Sequence, residues 1–134
     1  MSLEQAIHRR WAADAALAAL LPPERFTTGR ASAGLLPYAT LARRSNRAAW
    51  RTAAGDRLDE TEVAIHVWHE DYDAGRAIAG RVEALFDRAA FDMEGGARVV
   101  QMRRLDDDAA QGPDGVWRFT LVFLAQVHWP PPAP

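Results

Sequence analysis

The stretch TEVAIHVWHEDYDAGRAIAGRVEALF, residues 61–86, decides the fold. Its first part alternates as a strand does: Val63, Ile65 and Val67 fall on one side, Ala64, His66 and Trp68 on the other, and both sides are largely apolar. Asp71 then offers a side-chain oxygen for a helix N-cap, and Ala74, Ile78, Val82 and Leu85 recur at helical spacing. A strand that is apolar on both sides has to be covered on both sides. The helix can cover one. In a chain of 134 residues the other is expected to meet another subunit, which points to an assembling structural protein rather than a self-contained enzyme.

Upstream, Ser2 and Gln5 stand at capping-box spacing, so a helix is expected from Leu3 with Leu3, Ile7 and Trp11 as its buried stripe. Asp14 would fall near that stripe if the helix ran on. A break is expected there, with Asp14 capping a short second helix that Pro22 and Pro23 end. Residues 24–34, rich in Gly, Ser and Thr, read as a loop. Residues 36–43 and 48–52 read as two strands, and Ala54, Gly55 and Asp56 as the turn of a hairpin into the strand at 58–69.

Downstream of the helix at 72–88, Gly95 and Gly96 mark a turn, residues 97–106 a strand, and QGPDG at 111–115 a loop. The last strand, 116–129, places Trp117, Phe119, Leu121, Phe123 and Val127 on one face and Val122 and Leu124 on the other, so it belongs in the middle of a sheet. Residues 130–134, PPPAP, cannot extend a sheet and read as a short flexible tail. The expectation is one α+β domain over residues 1–129: a mostly antiparallel sheet of about five strands with two main helices on one face, in the order α-βββ-α-ββ.

Composition narrows the chemistry. Apolar residues make up 49% and charged residues 25%, ordinary for a globular domain. No run of about 18 apolar residues suggests a membrane span, and the charged residues between Leu3 and Leu21 do not suit a signal peptide. With no cysteine there is no disulfide, thiolate or Cys-based metal site. All 16 basic residues are Arg, so Schiff-base lysine chemistry and a P-loop lysine are excluded. A net charge of −2 argues against general nucleic-acid affinity.

His66, His69, Glu70, Asp71 and Asp73 form the densest group of candidate metal ligands. On a strand, however, His66 and His69 point to opposite faces, so no metal site is assigned. Asp106, Asp107 and Asp108, with Asp114 across the loop, lack the twelve-residue calcium-loop pattern and read as a solvated hairpin tip. Arg43, Arg44, Arg47 and Arg51 cluster around the first hairpin near Trp50. They are better explained as charges that blunt an exposed strand edge or pair with acids on a partner than as a nucleic-acid patch. Ser32 and Ser45 stand in no nucleophile elbow, no Gly-rich phosphate loop is present, and Gly29 and Gly34 read as turn residues. No catalytic residue and no cofactor is assigned. Trp50, Trp68, Trp117 and Trp129 lie on expected strands, where large aromatics anchor cores and interfaces.

Five segments together, SLEQAI and ADAALAALL near the N-terminus, LPYATLAR at 36–43, VAIHVWHEDYDAGRAIAGRVEALFD at 63–87 and GVWRFTLVFLAQVHW at 115–129, resemble the tail-completion family of tailed phages, prophages and gene transfer agents. The resemblance implies a non-enzymatic, tail-terminator-like or head–tail joining subunit. Such a subunit forms a homo-oligomeric ring, commonly a hexamer, that ends the tail tube and meets the head connector, with DNA only passing through the lumen. It also implies a place in the virion tail, assembled in the bacterial cytoplasm without a membrane. The expected subunit interface comprises Ala64, His66 and Trp68 with Arg47, Trp50 and Arg51 of the hairpin. Two other functions compete: a small ligand-binding or regulatory domain with a pocket between helix and sheet, and a metal-dependent enzyme using His66, His69, Glu70 and His128.

Overall fold

A computed structural model of the chain describes residues 1–29 and 35–132. Ser32 and Gly34 lie outside the described residues, as do Ala133 and Pro134. The N-terminal helix α1 (Leu3–Ala13) starts on the expected capping box, with the Ser2 hydroxyl accepting from the Gln5 amide and the Gln5 side chain accepting from Ser2. At Asp14 the chain breaks, and its carboxylate caps α2 (Ala15–Leu20) by accepting from the Leu17 amide.

Six strands follow in the spatial order β1-β2-β3-β6-β5-β4. They are β1 (Phe26–Thr28), β2 (Tyr38–Arg51), β3 (Arg57–His69), β4 (Ala89–Asp92), β5 (Arg98–Gln111) and β6 (Trp117–Trp129), with α3 (Tyr72–Phe86) between β3 and β4. Only β1 runs parallel to its neighbour. The two strands with apolar residues on both faces, β3 and β6, lie side by side in the centre, in continuous register from Arg57↔Trp129 to His69↔Trp117.

The α+β class and the antiparallel core match the sequence expectation, but the strand inventory differs in three places. The strands expected at 36–43 and 48–52 are one strand, β2, which crosses the polar run between them with bulges at Arg43/Ser45 and Ala48/Trp50. An outer strand needs no buried face there, so polar side chains do not interrupt it. Short edge strand β1 lies where a loop was expected, and β4 lies between the expected helix at 72–88 and the turn at Gly95 and Gly96, where no strand was expected. Asp106, Asp107 and Asp108 are not at a hairpin tip: β5 continues through them to Gln111, paired with Val122, Leu121 and Thr120 of β6.

The helices pack on one face of the sheet. Leu3, Ile7 and Trp11 of α1 and Ile78, Ala79, Val82 and Phe86 of α3 meet Val63, Ile65 and Val67 of β3 and Phe119, Leu121, Phe123 and Val127 of β6 in a single core. Trp11 is fully buried, stacks on Phe26 at 4.0 Å between ring centres, and donates from Nε1 to the Leu21 carbonyl at 3.1 Å. Phe86, rather than Leu85, completes the buried stripe of α3, and Gly75 adds to it by closeness: a Cβ there would come within 2.3 Å of the Phe119 ring. Helix α1 ties down both sides of the sheet, through Glu4 to Arg43 on β2 at 2.7 Å and through Arg9 to Glu94 between β4 and β5 at 2.6 Å.

Candidate assembly surface

Among the described residues, the opposite face of the same sheet carries no helix. Strand alternation puts Ala64, His66 and Trp68 of β3 on it, beside Arg118, Thr120, Val122 and Leu124 of β6. Ala64 is 2% and Val122 5% exposed, because these small side chains lie between larger neighbours on the pleat. His66 Nδ1 is 2.9 Å from the Thr120 hydroxyl, and its ring is tilted against Trp68 at 5.5 Å. Trp68 in turn stacks on Tyr38 of β2 at 4.9 Å. Burial lowers the His66 pKa below the ordinary histidine value, and the positive charges of Arg118 and Arg44 push it the same way.

Troughs run across this face. One, of about 380 Å³, has Ala64, His66, Thr120 and Val122 as its floor, Arg44 on one side, and Asp106 and Asp108 on the other. Another, of about 400 Å³, lies between Arg47, Glu60 and Glu62 on one side and Arg103, Leu105 and Leu124 on the other. The space between helices and sheet, where a ligand pocket was expected for a binding domain, is filled by Trp11, Phe86, Phe119 and Phe123.

The β2–β3 hairpin extends past the helices, so residues 43–55 are exposed on both faces. The arginines of this hairpin mostly meet acids of their own chain: Arg43 with Glu4, Arg44 with Glu62 at 3.6 Å, Arg47 with Glu60 at 2.6 Å. Exposed pairs of this kind contribute about 0–1 kcal/mol each and leave the cations available for exchange. Arg51 has no acidic partner among the described residues; its cross-strand neighbour is Arg57, itself paired with Asp59 at 3.2 Å. Trp50 stands 45% exposed at the hairpin end, its ring 6.3 Å from that of His128.

The candidate metal ligands do not converge. His66 lies on the open face, His69 Nδ1 accepts from the Asp71 amide at the start of α3, and His128 sits at the far end of the sheet, 2.9 Å from Asp56. Among the described residues no three such side chains cluster closely enough to hold a metal ion. Asp71 serves α3 instead, accepting from the Ala74 amide at 2.8 Å. Within the aspartate run, Asp107 points to the helix side and takes Arg76 of α3 with both oxygens, while Asp106 and Asp108 face the open side. Sequence reasoning overlooked Leu105, 42% exposed beside this run; the signal was a lone large apolar residue in a polar stretch.

One sheet face built into a core, the other left open, and a projecting hairpin define a small α+β assembly module. The sequence model of Tail completion protein gp17 matches residues 5–128, and the chain belongs to that family: it is a virion structural protein of phage tail completion. Among solved structures it is similar to a chain of the "Virion of native gene transfer agent (GTA) particle", with 21% identity, 96% of each chain covered and a TM-score of 0.74, a likeness that establishes the shared fold. No curated protein matches it in sequence.

Proposed function

We propose that this protein closes the head-proximal end of a tail tube as a homo-oligomeric ring, a hexamer by analogy with tail terminators, that stops tube growth and offers a surface to the head connector. It acts by binding and not by catalysis. The observation that carries this reading is the face of β3 and β6 that no described element covers, where Ala64, Trp68, Val122 and Leu124 stand among His66, Thr120 and Arg118. A patch of this kind on a small domain marks a contact surface. Ala64, His66 and Trp68, with Arg47, Trp50 and Arg51 on the hairpin, form that surface with a neighbouring copy. The tube protein and the connector dock above and below the ring. DNA passes through the lumen without being gripped, consistent with a net charge of −2 and with arginines already paired to acids. The subunit is made in the bacterial cytoplasm and ends in the virion tail.

Particles assembled without this chain test the proposal by electron microscopy. Tubes longer than normal and detached from heads are expected, and adding back the protein should restore both length and joining. Normal tubes on heads in its absence would refute the role. Trp68→Glu, in a protein that still folds, should abolish ring formation; rings formed as readily as by the original chain would remove the open face from the interface.

A further inference from the structure

We propose that neighbouring copies meet along two opposite edges of the sheet, the outer edge of β2 at residues 47–51 on one copy against the outer edge of β5 at residues 105–111 on the next. The inference rests on the ring reading above and adds a strand-to-strand contact, through the hairpin that carries Arg47, Trp50 and Arg51, to the contact proposed for the open face. Strand β1 covers β2 only at Ala39, Thr40 and Leu41, and β4 covers β5 only from Arg98 to Met102. Beyond those points neither edge has a strand partner among the described residues, and an open edge presents backbone donors and acceptors that pair with another chain.

Each edge also carries one large exposed apolar side chain, Trp50 on β2 and Leu105 on β5. Their charges are opposite. Among the described residues Arg51 on β2 is paired with no acid, and Asp106 and Asp108 on β5 with no cation. Two β2 edges brought together would repel through arginine, and two β5 edges through aspartate; only the mixed pairing places opposite charges together. Each copy then uses one edge toward one neighbour and the other edge toward the next, the head-to-tail arrangement that a closed ring requires. The two open runs lie at opposite ends of the sheet, so pairing them offsets each copy along the strand direction. A flat ring therefore has its strands inclined to the ring axis, as in a closed barrel. The bulges in both edges shorten any continuous ladder, which leaves the side chains to set specificity.

Charge reversal tests the pairing. One variant carries Arg47→Glu and Arg51→Glu, the other Asp106→Arg and Asp108→Arg; native mass spectrometry reads assembly and circular dichroism reads folding. Each variant alone presents like charges at both edges, and its assembly midpoint should rise at least ~10-fold in concentration. An equimolar mixture should regain rings containing equal numbers of the two, because each variant's edges then match the other's. If the original chain forms rings and both variants do so at the same concentration, the edge pairing is wrong while the ring stands. A mixture that stays monomeric also refutes the pairing. An original chain that never associates refutes the ring and the pairing together. Should a double reversal prevent folding, Trp50→Ser and Leu105→Ser replace it: each should weaken assembly, and unchanged assembly by both overturns the proposal.

Discussion

The two faces of one pair of strands differ in what the rest of the chain does with them. On β3, Val63, Ile65 and Val67 enter a core closed by α1 and α3, whereas Ala64, His66 and Trp68, one residue out of phase, face a surface that none of the described elements covers. The local sequence is apolar on both sides, so propensity does not separate them. The difference arises because the chain has helices enough for one face. The covered face fixes the fold, and the open face is the one we propose for assembly.

Substitutions should separate the faces by size of effect. The largest loss is expected from Trp11→Ala, which empties the centre of the covered side and removes a stacked ring and a buried donor. Urea unfolding should show a loss of about 3–5 kcal/mol. Gly75→Ala comes next: its Cβ meets the Phe119 ring, and forcing helix and sheet apart costs about 1–3 kcal/mol. A stability unchanged by either would mean the helices do not seat as described. Asp71→Ala removes the cap of α3 and should cost about 1 kcal/mol by the same measurement. On the open side, Leu105→Ser, at a side chain 42% exposed, should change the unfolding free energy of the monomer by about 0.5 kcal/mol or less, as surface substitutions do, while weakening assembly. A core-sized loss there would erase the distinction between the faces.

The smallest effect is one of pH. The His66 pKa lies below its unfolded value of 6.5, so the unfolded chain takes up a proton more readily. Stability is then full above about pH 6.5 and declines as pH falls toward the folded pKa. His8 is also depressed, by burial partly opposed by Glu4, and adds to the same limb. His66→Gln should therefore flatten the acid side of the stability–pH curve in part; an unchanged slope would mean that the open face does not bury this ring.

How much could be read without the structure follows the same division. The unit of β3 and α3, the capping box at Ser2, the break at Asp14 and the central place of β6 were legible, because burial imposes a period and caps impose a residue type. The edges were not. Strand β2 crosses Arg43, Arg44, Ser45, Asn46 and Arg47, and β5 crosses three aspartates, with no buried face to enforce alternation. Strands β1 and β4 are short, and only Phe26 and Ala89 are buried in them. For the same reason the proposed assembly surface was half visible: Trp50, His66 and Trp68 stood out as aromatics on strands, while Asp106 and Asp108 resembled a hairpin tip and Leu105, inside the expected strand, was not singled out.

The most direct test of ring assembly is native mass spectrometry of the purified chain across a concentration series with no added metal. The expected result is a single closed oligomer, a hexamer, appearing above a threshold concentration. A monomer at every concentration, above all one carrying a stoichiometric metal or small-molecule adduct, would contradict it.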